Sequence, residues 1–184
     1  SVLDEMISSG VMPDTMIFNN VIDMLAKCRN GSDGHGMALH QLDRMKDLGV
    51  VPDLLTYTSI ITSCARHGKW KESIQLLDEI TTKHNIEPDR VIYTAVIKAC
   101  SNSGRWREAI LMLAKMRETG VPLDSAACNS VITACASAGK WEAALKVMQF
   151  MKREGIAIDH YTYSAAISAC DEGGQSHLIE SLYD

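Results

Sequence analysis

RVIYTAVIKACSNSGRWREAILMLAKMRETGVPLD, residues 90–124, is the clearest of several similar units in this 184-residue chain. Its cysteine belongs to a series in which Cys64, Cys100, Cys135 and Cys170 follow one another at intervals of 36, 35 and 35 residues. Glycine stands four residues after each of them, and tryptophan stands six residues after the first three. Self-similarity with a period of about 20–50 residues indicates a solenoid, in which each unit is stabilised by stacking on its neighbours.

Each unit is predicted to fold as two helices. In residues 90–124 the side chains of Tyr93, Val96, Ile97 and Cys100 have the i, i+3, i+4, i+7 spacing of one helical face, which we expect in the core. Asparagine, serine and glycine at 102–104 then break the helix, and a second amphipathic helix begins at Trp106. The stripe recurs as Phe18, Val21, Ile22 and Leu25; Tyr57, Ile60, Ile61 and Cys64; Cys128, Val131, Ile132 and Cys135; and Tyr163, Ala166, Ile167 and Cys170.

Every unit closes with an aspartate, at Asp14, Asp53, Asp89, Asp124 and Asp159. These residues divide the chain into repeats at 15–53, 54–89, 90–124 and 125–159, with partial repeats at 1–14 and 160–184. In the first repeat, the polar and glycine-rich residues 29–36 predict a lengthened, exposed loop between the two helices. The fold class predicted is all-α, a solenoid of stacked helix-turn-helix repeats. Because both ends fall inside predicted helices, we expect a segment of a longer array.

Composition argues against several classes of protein. The longest apolar run, residues 109–114, is too short to cross a bilayer, so no membrane partner is expected. Four of the six cysteines occupy one position of the helical stripe, which is typical of small buried hydrophobes in a reducing compartment. Neither the cysteines nor the six histidines have the spacing of a metal cage or of a nucleophile and its base. We therefore expect no catalytic residue, no metal and no cofactor, and we predict that the chain is not an enzyme.

The charge is unevenly distributed. A net charge of −5 argues against nucleic acid, because phosphate binding is driven by clustered lysine and arginine. The predicted first helices of three repeats nevertheless contain no acidic residue, whereas Arg66, Arg90 and Lys98 lie in them. The acids lie mostly on the second helices, which is usual for a solvated outer face.

A tryptophan opens the second helix of three repeats, at Trp70, Trp106 and Trp141. These side chains could stack on bases or act as wedges between helices. The wedge is favoured, because exposed tryptophans at helix starts would be costly without a ligand.

The units resemble the pentatricopeptide repeat family in length, in the aromatic-polar-x-apolar-Ile core of the first helix and in the closing aspartate. They lack the W-x-x-L-G-x-x-Y start of tetratricopeptide repeats. The resemblance covers essentially the whole chain. It implies a right-handed α-solenoid that binds single-stranded RNA, one nucleotide per repeat, along the concave surface made by the first helices.

The resemblance also implies which side chains read the bases, namely the fifth and the closing residue of each repeat. The pairs are Asn19 with Asp53, Thr58 with Asp89, Thr94 with Asp124, and Asn129 with Asp159, and Ser164 has its partner beyond the chain. By the family's code these pairs predict U-G-G-U, read 5′ to 3′ along the chain. Amides and hydroxyls can meet a base edge, and the carboxylate could orient them. Helix capping alone could also explain these residue types.

The second residue of each repeat sandwiches bases in the family, and here it is Met16, Leu55, Val91, Ala126 or Tyr161. Ala126 departs from the pattern, because a methyl group makes a poor sandwich. The family's phosphate-approaching positions carry Lys27 and Arg66 in the first two repeats. With so few basic residues, we expect loose, salt-sensitive RNA binding.

Two functions are consistent with these features. The first is a sequence-selective single-stranded RNA-binding module of organellar RNA metabolism, in a mitochondrion or chloroplast, that acts by occupancy on a transcript. The alternative is a structural subunit of a large organellar assembly, a ribosome or RNA polymerase, in which the solenoid holds proteins or ribosomal RNA. Net acidity and Ala126 favour the alternative. Any targeting segment would lie upstream of this chain.

Overall fold

The structure, a computed structural model, describes residues 2–28, 34–84 and 86–175. Its described part contains ten α-helices and no strand. None of these helices has the length and apolar composition that a bilayer crossing requires. The helices are α1 (Val2–Ser8), α2 (Thr15–Lys27), α3 (Gly34–Asp47), α4 (Leu54–His67), α5 (Trp70–Thr82), α6 (Arg90–Asn102), α7 (Trp106–Glu118), α8 (Ser125–Ser137), α9 (Trp141–Glu154) and α10 (His160–Glu172).

The helices form two layers. The first helices α2, α4, α6, α8 and α10 contact one another in sequence, and each of α3, α5, α7 and α9 packs between the first helix before it and the one after it. The side chains of Tyr93, Val96, Ile97 and Cys100 are fully buried, as are their equivalents in the two flanking repeats. At the ends of the array, Val21, Leu25, Tyr163 and Ile167 are only half-buried. The predicted all-α solenoid of helix-turn-helix repeats is confirmed.

Local chemistry explains where the first helices begin and end. Each closing aspartate is the N-cap of the next helix, where its carboxylate accepts the backbone N–H of the third helical residue. The glycine after the helix, as at Gly68 and Gly104, adopts a φ of 65°, which is strained for residues with a Cβ. Capping, which the sequence offers as the simple explanation of the aspartates, is therefore present in every repeat.

The tryptophans pack between repeats. Trp70, Trp106 and Trp141 are half-buried against the core, and the guanidinium of Arg105 lies 4.9 Å from the centre of the Trp70 ring. Trp141 lies so close to the end of α10 that a Cβ at Gly173 would be 2.4 Å from its ring. The wedge prediction is therefore confirmed for these side chains.

Ion pairs connect the outer, second helices, which explains why the acids concentrate there. Each pair of successive second helices is bridged by an ion pair, from α1 through to α9. The pairs are Arg44 with Asp4, Lys46 with Glu79, Lys115 with Asp78, and Arg117 with Glu154. Ion pairs at or near the surface contribute little each, so the apolar stripe supplies most of the stability of the stack.

The prediction of an exposed loop at 29–36 was wrong for its last three residues. Residues 29–33 lie outside the described part of the chain, but Gly34 begins α3 and the side chain of His35 is only 4% exposed. A Cβ at Gly34 would lie 2.5 Å from the carbonyl oxygen of Leu25. Glycine here permits a close approach between α2 and α3, which the polar composition of the segment does not reveal.

The cysteines are thiols, as predicted, and five of the six are buried. Burial raises the pKa of Cys64 and Cys128 to about 12 and that of Cys100 and Cys135 to about 11, and it also raises the pKa of Cys170.

Because the thiolate is the reactive form, we expect iodoacetamide to modify the half-buried Cys28 first in the folded protein. Intact mass should show one fast adduct in buffer and six in denaturant. Fast modification of several thiols in buffer would contradict the burial of the stripe.

Candidate functional site

A groove of about 710 Å³ lies along the exposed face of the first helices at the C-terminal end of the array. Its lining comes from α6, α8 and α10 and from Asp159, the N-cap residue of α10. Five of the residues predicted to read or sandwich bases lie in it, namely Ala126, Asn129, Asp159, Tyr161 and Ser164. The structure therefore brings the predicted base-reading and base-sandwiching residues of neighbouring repeats to one surface.

The second residues of the repeats are exposed, although most are large and apolar. Met16, Leu55, Val91 and Tyr161 are 65%, 59%, 51% and 66% exposed, and the smaller Ala126 is exposed as well. Each stands in the first turn of its first helix, so the row repeats with the stacking of the helices. A regular row of exposed apolar side chains is typical of a surface that binds a ligand.

The first pair, Asn19 and Asp53, is joined directly. The Asn19 amide nitrogen donates to the two carboxylate oxygens of Asp53 at 3.0 and 3.1 Å. The Thr56 hydroxyl, from the next helix, donates to the Asn19 carbonyl oxygen at 2.5 Å. These contacts fix which edge of the amide points outward, although the Asn19 side chain is only 5% exposed.

The fourth pair repeats this arrangement. The Asn129 amide nitrogen donates to Asp159 at 3.2 Å, and the Thr162 hydroxyl donates to the Asn129 carbonyl oxygen at 2.7 Å. Asn129 is half-buried and lines the groove, so its amide is more accessible than that of Asn19. One N–H and one lone pair of the amide are used within the protein, which leaves a donor and an acceptor for a ligand.

The two threonine pairs are built differently. The Thr58 hydroxyl donates to the Leu54 carbonyl oxygen of its own helix at 2.7 Å rather than to Asp89. The Thr94 hydroxyl oxygen is buried and has no hydrogen-bond partner in the described part of the chain. At the position of Thr56 and Thr162 these pairs have Ile92 and Ala127. A hydroxyl at the third residue of the next repeat thus accompanies asparagine, and the family's two-residue pattern did not point to this third position.

The carboxylates of the asparagine pairs stay ionised over a wide pH range. Burial raises the pKa of Asp53, but the hydrogen bonds from Thr56 and Asn19 outweigh it and hold the pKa below its ordinary value of 3.8. The hydrogen bonds from the backbone N–H of Thr162 and from the Asn129 amide lower the pKa of Asp159 in the same way. At neutral pH both carboxylates therefore act only as acceptors.

An Asp53→Asn variant tests this electrostatic role. A group whose pKa is lowered on folding stabilises the fold above its unfolded pKa, and that contribution is lost as the pH falls through the folded pKa. We expect the variant to be about 0.5–1 kcal/mol less stable at neutral pH, since asparagine still caps but carries no charge. The difference should be constant above about pH 5 and should shrink as the pH falls below 3.8 and through the lower pKa of the folded state. Urea unfolding across this range measures it, and a difference that grows toward low pH would contradict the assignment.

The predicted phosphate contacts differ in their surroundings. Lys27 forms an ion pair with Asp23 at 2.6 Å, which reduces its capacity to bind phosphate. Arg66 is exposed near the C-terminal end of α4, and Lys98 lines the groove. Arg90 lies 3.6 Å from Asp124 and is partly neutralised. The positive charge along the first helices is therefore sparse.

The structure also joins three residues that lie far apart along the chain. Ligand atoms of His35, Cys64 and Glu72 all lie within 4.8 Å of one another, between the first and second repeats. No spacing in the sequence indicates this cluster, because its members come from three helices.

Two descriptions of the same repeat match this chain. The "PPR repeat family" matches residues 13–66, 88–136 and 123–171, and the "Pentatricopeptide repeat domain" matches residues 40–103. A pentatricopeptide repeat-containing protein of Arabidopsis thaliana is 32% identical over 87 residues, which are 47% of this chain and 14% of that protein. Small ribosomal subunit protein mS39 of Xenopus laevis is 31% identical over 83 residues, which are 42% of this chain and 12% of that protein.

Solved structures with the same fold include the pentatricopeptide repeat protein PPR10 from maize. Its crystal structure superimposes with a TM-score of 0.85 at 24% identity, over 98% of this chain and 25% of that one. PPR10 in complex with an 18-nt psaJ RNA element gives a TM-score of 0.65 at 22% identity, over 99% of this chain and 24% of that one. The chain thus spans about a quarter or less of the length of these proteins.

Proposed function

This chain belongs to the pentatricopeptide repeat family, and from that membership we propose that it binds single-stranded RNA along its first helices, one nucleotide per repeat. The observation that carries the proposal is the oriented amide of Asn129, held by Asp159 and Thr162 in the groove beside exposed Tyr161. A polar edge next to an exposed aromatic ring is what an unstacked base needs for recognition. The relative PPR10, which has this fold, was crystallised with RNA.

The bases would be selected by the fifth residue of each repeat. Asn19 and Asn129 pair with aspartate and favour uridine, whereas Thr58 and Thr94 favour guanine, so the preferred core is U-G-G-U. Asn129 offers a donor and an acceptor to a base edge. Asn19 is nearly buried and the Thr94 hydroxyl oxygen is buried as well, so these two base contacts should contribute less than that of Asn129.

Affinity should be modest, and it should fall only gradually as the salt concentration is raised. Stacking contributes about 1–3 kcal/mol per base in favourable cases, but Tyr161 is the one aromatic side chain among the second residues. Sparse cations release few counterions, so the salt dependence is set by residues such as Arg66 and Lys98. The protein would act by occupying RNA, shielding or positioning it, without chemistry of its own.

Titration of a labelled oligomer containing U-G-G-U against one of the same composition in scrambled order tests the proposal. At low salt we expect the U-G-G-U oligomer to bind about tenfold or more tightly, and doubling the salt should weaken both. A Tyr161→Ala variant should lose affinity for both sequences alike, since stacking is tolerant of sequence. Equal binding of the two oligomers, or no binding, would overturn the proposed code.

A second function is favoured by the similarity to small ribosomal subunit protein mS39 and by the net charge of −5. In this case the solenoid would be a structural subunit of an organellar ribosome or a similar assembly. Sequencing of RNA crosslinked to the full-length protein in cells separates the two functions. Crosslinks to messenger transcripts at U-G-G-U support the first, and crosslinks concentrated in ribosomal RNA support the second.

A further inference from the structure

The first repeat departs from the others at the start of its second helix. His35 lies 18 residues before Asp53, as Trp106 and Trp141 lie 18 residues before Asp124 and Asp159. The imidazole thus occupies the place of the tryptophan wedge, packed against the end of the next first helix. A polar, titratable ring has replaced an apolar one at a position that is 4% exposed.

The imidazole of His35 lies beside oxygen and sulfur atoms that carry lone pairs. Its Nε2 lies 2.8 Å from a carboxylate oxygen of Glu72 and 3.9 Å from the Sγ of Cys64. Its Nδ1 lies 3.3 Å from the Ser63 hydroxyl, which can accept the Nδ1 proton. In that tautomer the Nε2 lone pair faces a carboxylate and a sulfur atom. The contact is repulsive unless a cation, either a proton or a metal ion, lies between these atoms.

We propose that His35 Nε2, Cys64 Sγ and a carboxylate oxygen of Glu72 bind one divalent metal ion of the zinc class, with water as the fourth ligand. Zinc takes nitrogen, sulfur and oxygen donors in a tetrahedron, and sites with three protein ligands and an open fourth position are common. Tetrahedral coordination places ligand atoms about 3.3–3.7 Å apart. The Nε2 to sulfur distance is already near this range, and the partly exposed Glu72 needs to retreat by about half an ångström.

The neighbouring groups suit this role. With a metal ion on Nε2, the Ser63 hydroxyl would accept the Nδ1 proton of His35, as an outer partner of a metal-bound imidazole does. The ring of His67 stacks on His35 with centres 5.6 Å apart, which holds the plane of the ligand. Glu72 is the most exposed of the three ligands and gives the ion a route from solvent. On binding, the Cys64 thiol releases its proton to solvent and the sulfur donates an electron pair to the metal.

The next repeat keeps two of the three ligand positions but not the third. Cys100 and Glu108 repeat the Cys64 and Glu72 positions, but the place of His35 is taken by Trp70. The ligands would join α3 of the first repeat to α4 and α5 of the second. The ion would therefore clamp two repeats together where the tryptophan wedge is missing, and it would raise the stability of that interface.

Cobalt binding to the reduced, chelator-free chain tests the site. We expect one equivalent of Co²⁺ to give a thiolate-to-cobalt charge-transfer band, which Zn²⁺ removes by competition. Zn²⁺ should also raise the midpoint temperature of thermal unfolding of the protein. Cys64→Ser should abolish the band, and Cys100→Ser, at the same position of the next repeat, should retain it. Glu72→Gln, at a partly exposed residue, should fold normally and bind at least about tenfold more weakly, and Ser63→Ala should weaken binding about 10–100-fold.

The absence of a band from a chain with normal helicity would overturn the site. So would a band that Cys64→Ser keeps or that Cys100→Ser removes. These measurements contain no RNA, so their outcome is independent of the proposed RNA binding.

Discussion

Replacing both Thr58 and Thr94 by asparagine is expected to move the preferred RNA from U-G-G-U toward U-U-U-U. The reason is the geometry of the Asn129 pair, in which the carboxylate accepts the amide N–H and turns the rest of the amide toward the groove. A well-oriented pair of contacts to a base discriminates by about 1–3 kcal/mol, or roughly 5- to 150-fold per site. Competition binding with the two oligomers measures the change.

The third residue of the following repeat offers a more specific version of this experiment. Both asparagine pairs have a threonine that donates to the amide carbonyl, whereas Thr58 is followed by Ile92 at that place. We therefore expect Thr58→Asn with Ile92→Thr to change the second base more completely than Thr58→Asn alone. Ile92→Thr alone is the matched control and should leave guanine preferred. Unchanged preference at the second base in the variant with both Thr58→Asn and Ile92→Thr would contradict base reading by these residues.

Ile97→Ala is expected to cause the largest loss of stability, about 2–5 kcal/mol. Ile97 is fully buried in the stripe of α6, which contacts first helices on both sides and two second helices. Each repeat of a solenoid is stabilised by its neighbours, so a cavity in the middle of the stack weakens two interfaces. Urea unfolding followed by circular dichroism measures the change.

Val91→Ala, in the same helix, is the matched control. Val91 is 51% exposed, so its truncation should change the free energy of unfolding by less than about 0.5 kcal/mol. If Val91 contacts a base, the same change should weaken RNA binding by about 1 kcal/mol. A result in which Val91→Ala destabilises the fold and Ile97→Ala does not would reverse the assignment of inner and outer faces.

The repeat frame and the helix pairs could be predicted because they depend on local signals. The spacing of Tyr93, Val96, Ile97 and Cys100 specifies one buried face, and the closing aspartate specifies the next helix start. The same signals recur in every repeat, so each copy supports the others. The tryptophan wedges were predictable for a different reason, namely that a large aromatic side chain is rarely left exposed.

The remaining features depend on contacts between helices. The start of α3 was mispredicted because the close approach of Gly34 to Leu25 is tertiary. The contrast between Asn19, which is nearly buried, and Asn129, which lines the groove, depends on their neighbours rather than on residue type. The roles of Thr56 and His35 are likewise set by side chains from other helices.

Photocrosslinking tests whether RNA lies along the first helices with one nucleotide per repeat. A 4-thiouridine replaces either the first or the last uridine of U-G-G-U, and the crosslinked peptides are identified by mass spectrometry. We expect the first position to crosslink to α2 or α4 near Met16 and Leu55, and the last to α8 or α10 near Ala126 and Tyr161. Crosslinks on the second helices α5, α7 and α9, or the same peptides from both positions, would contradict this placement of the RNA.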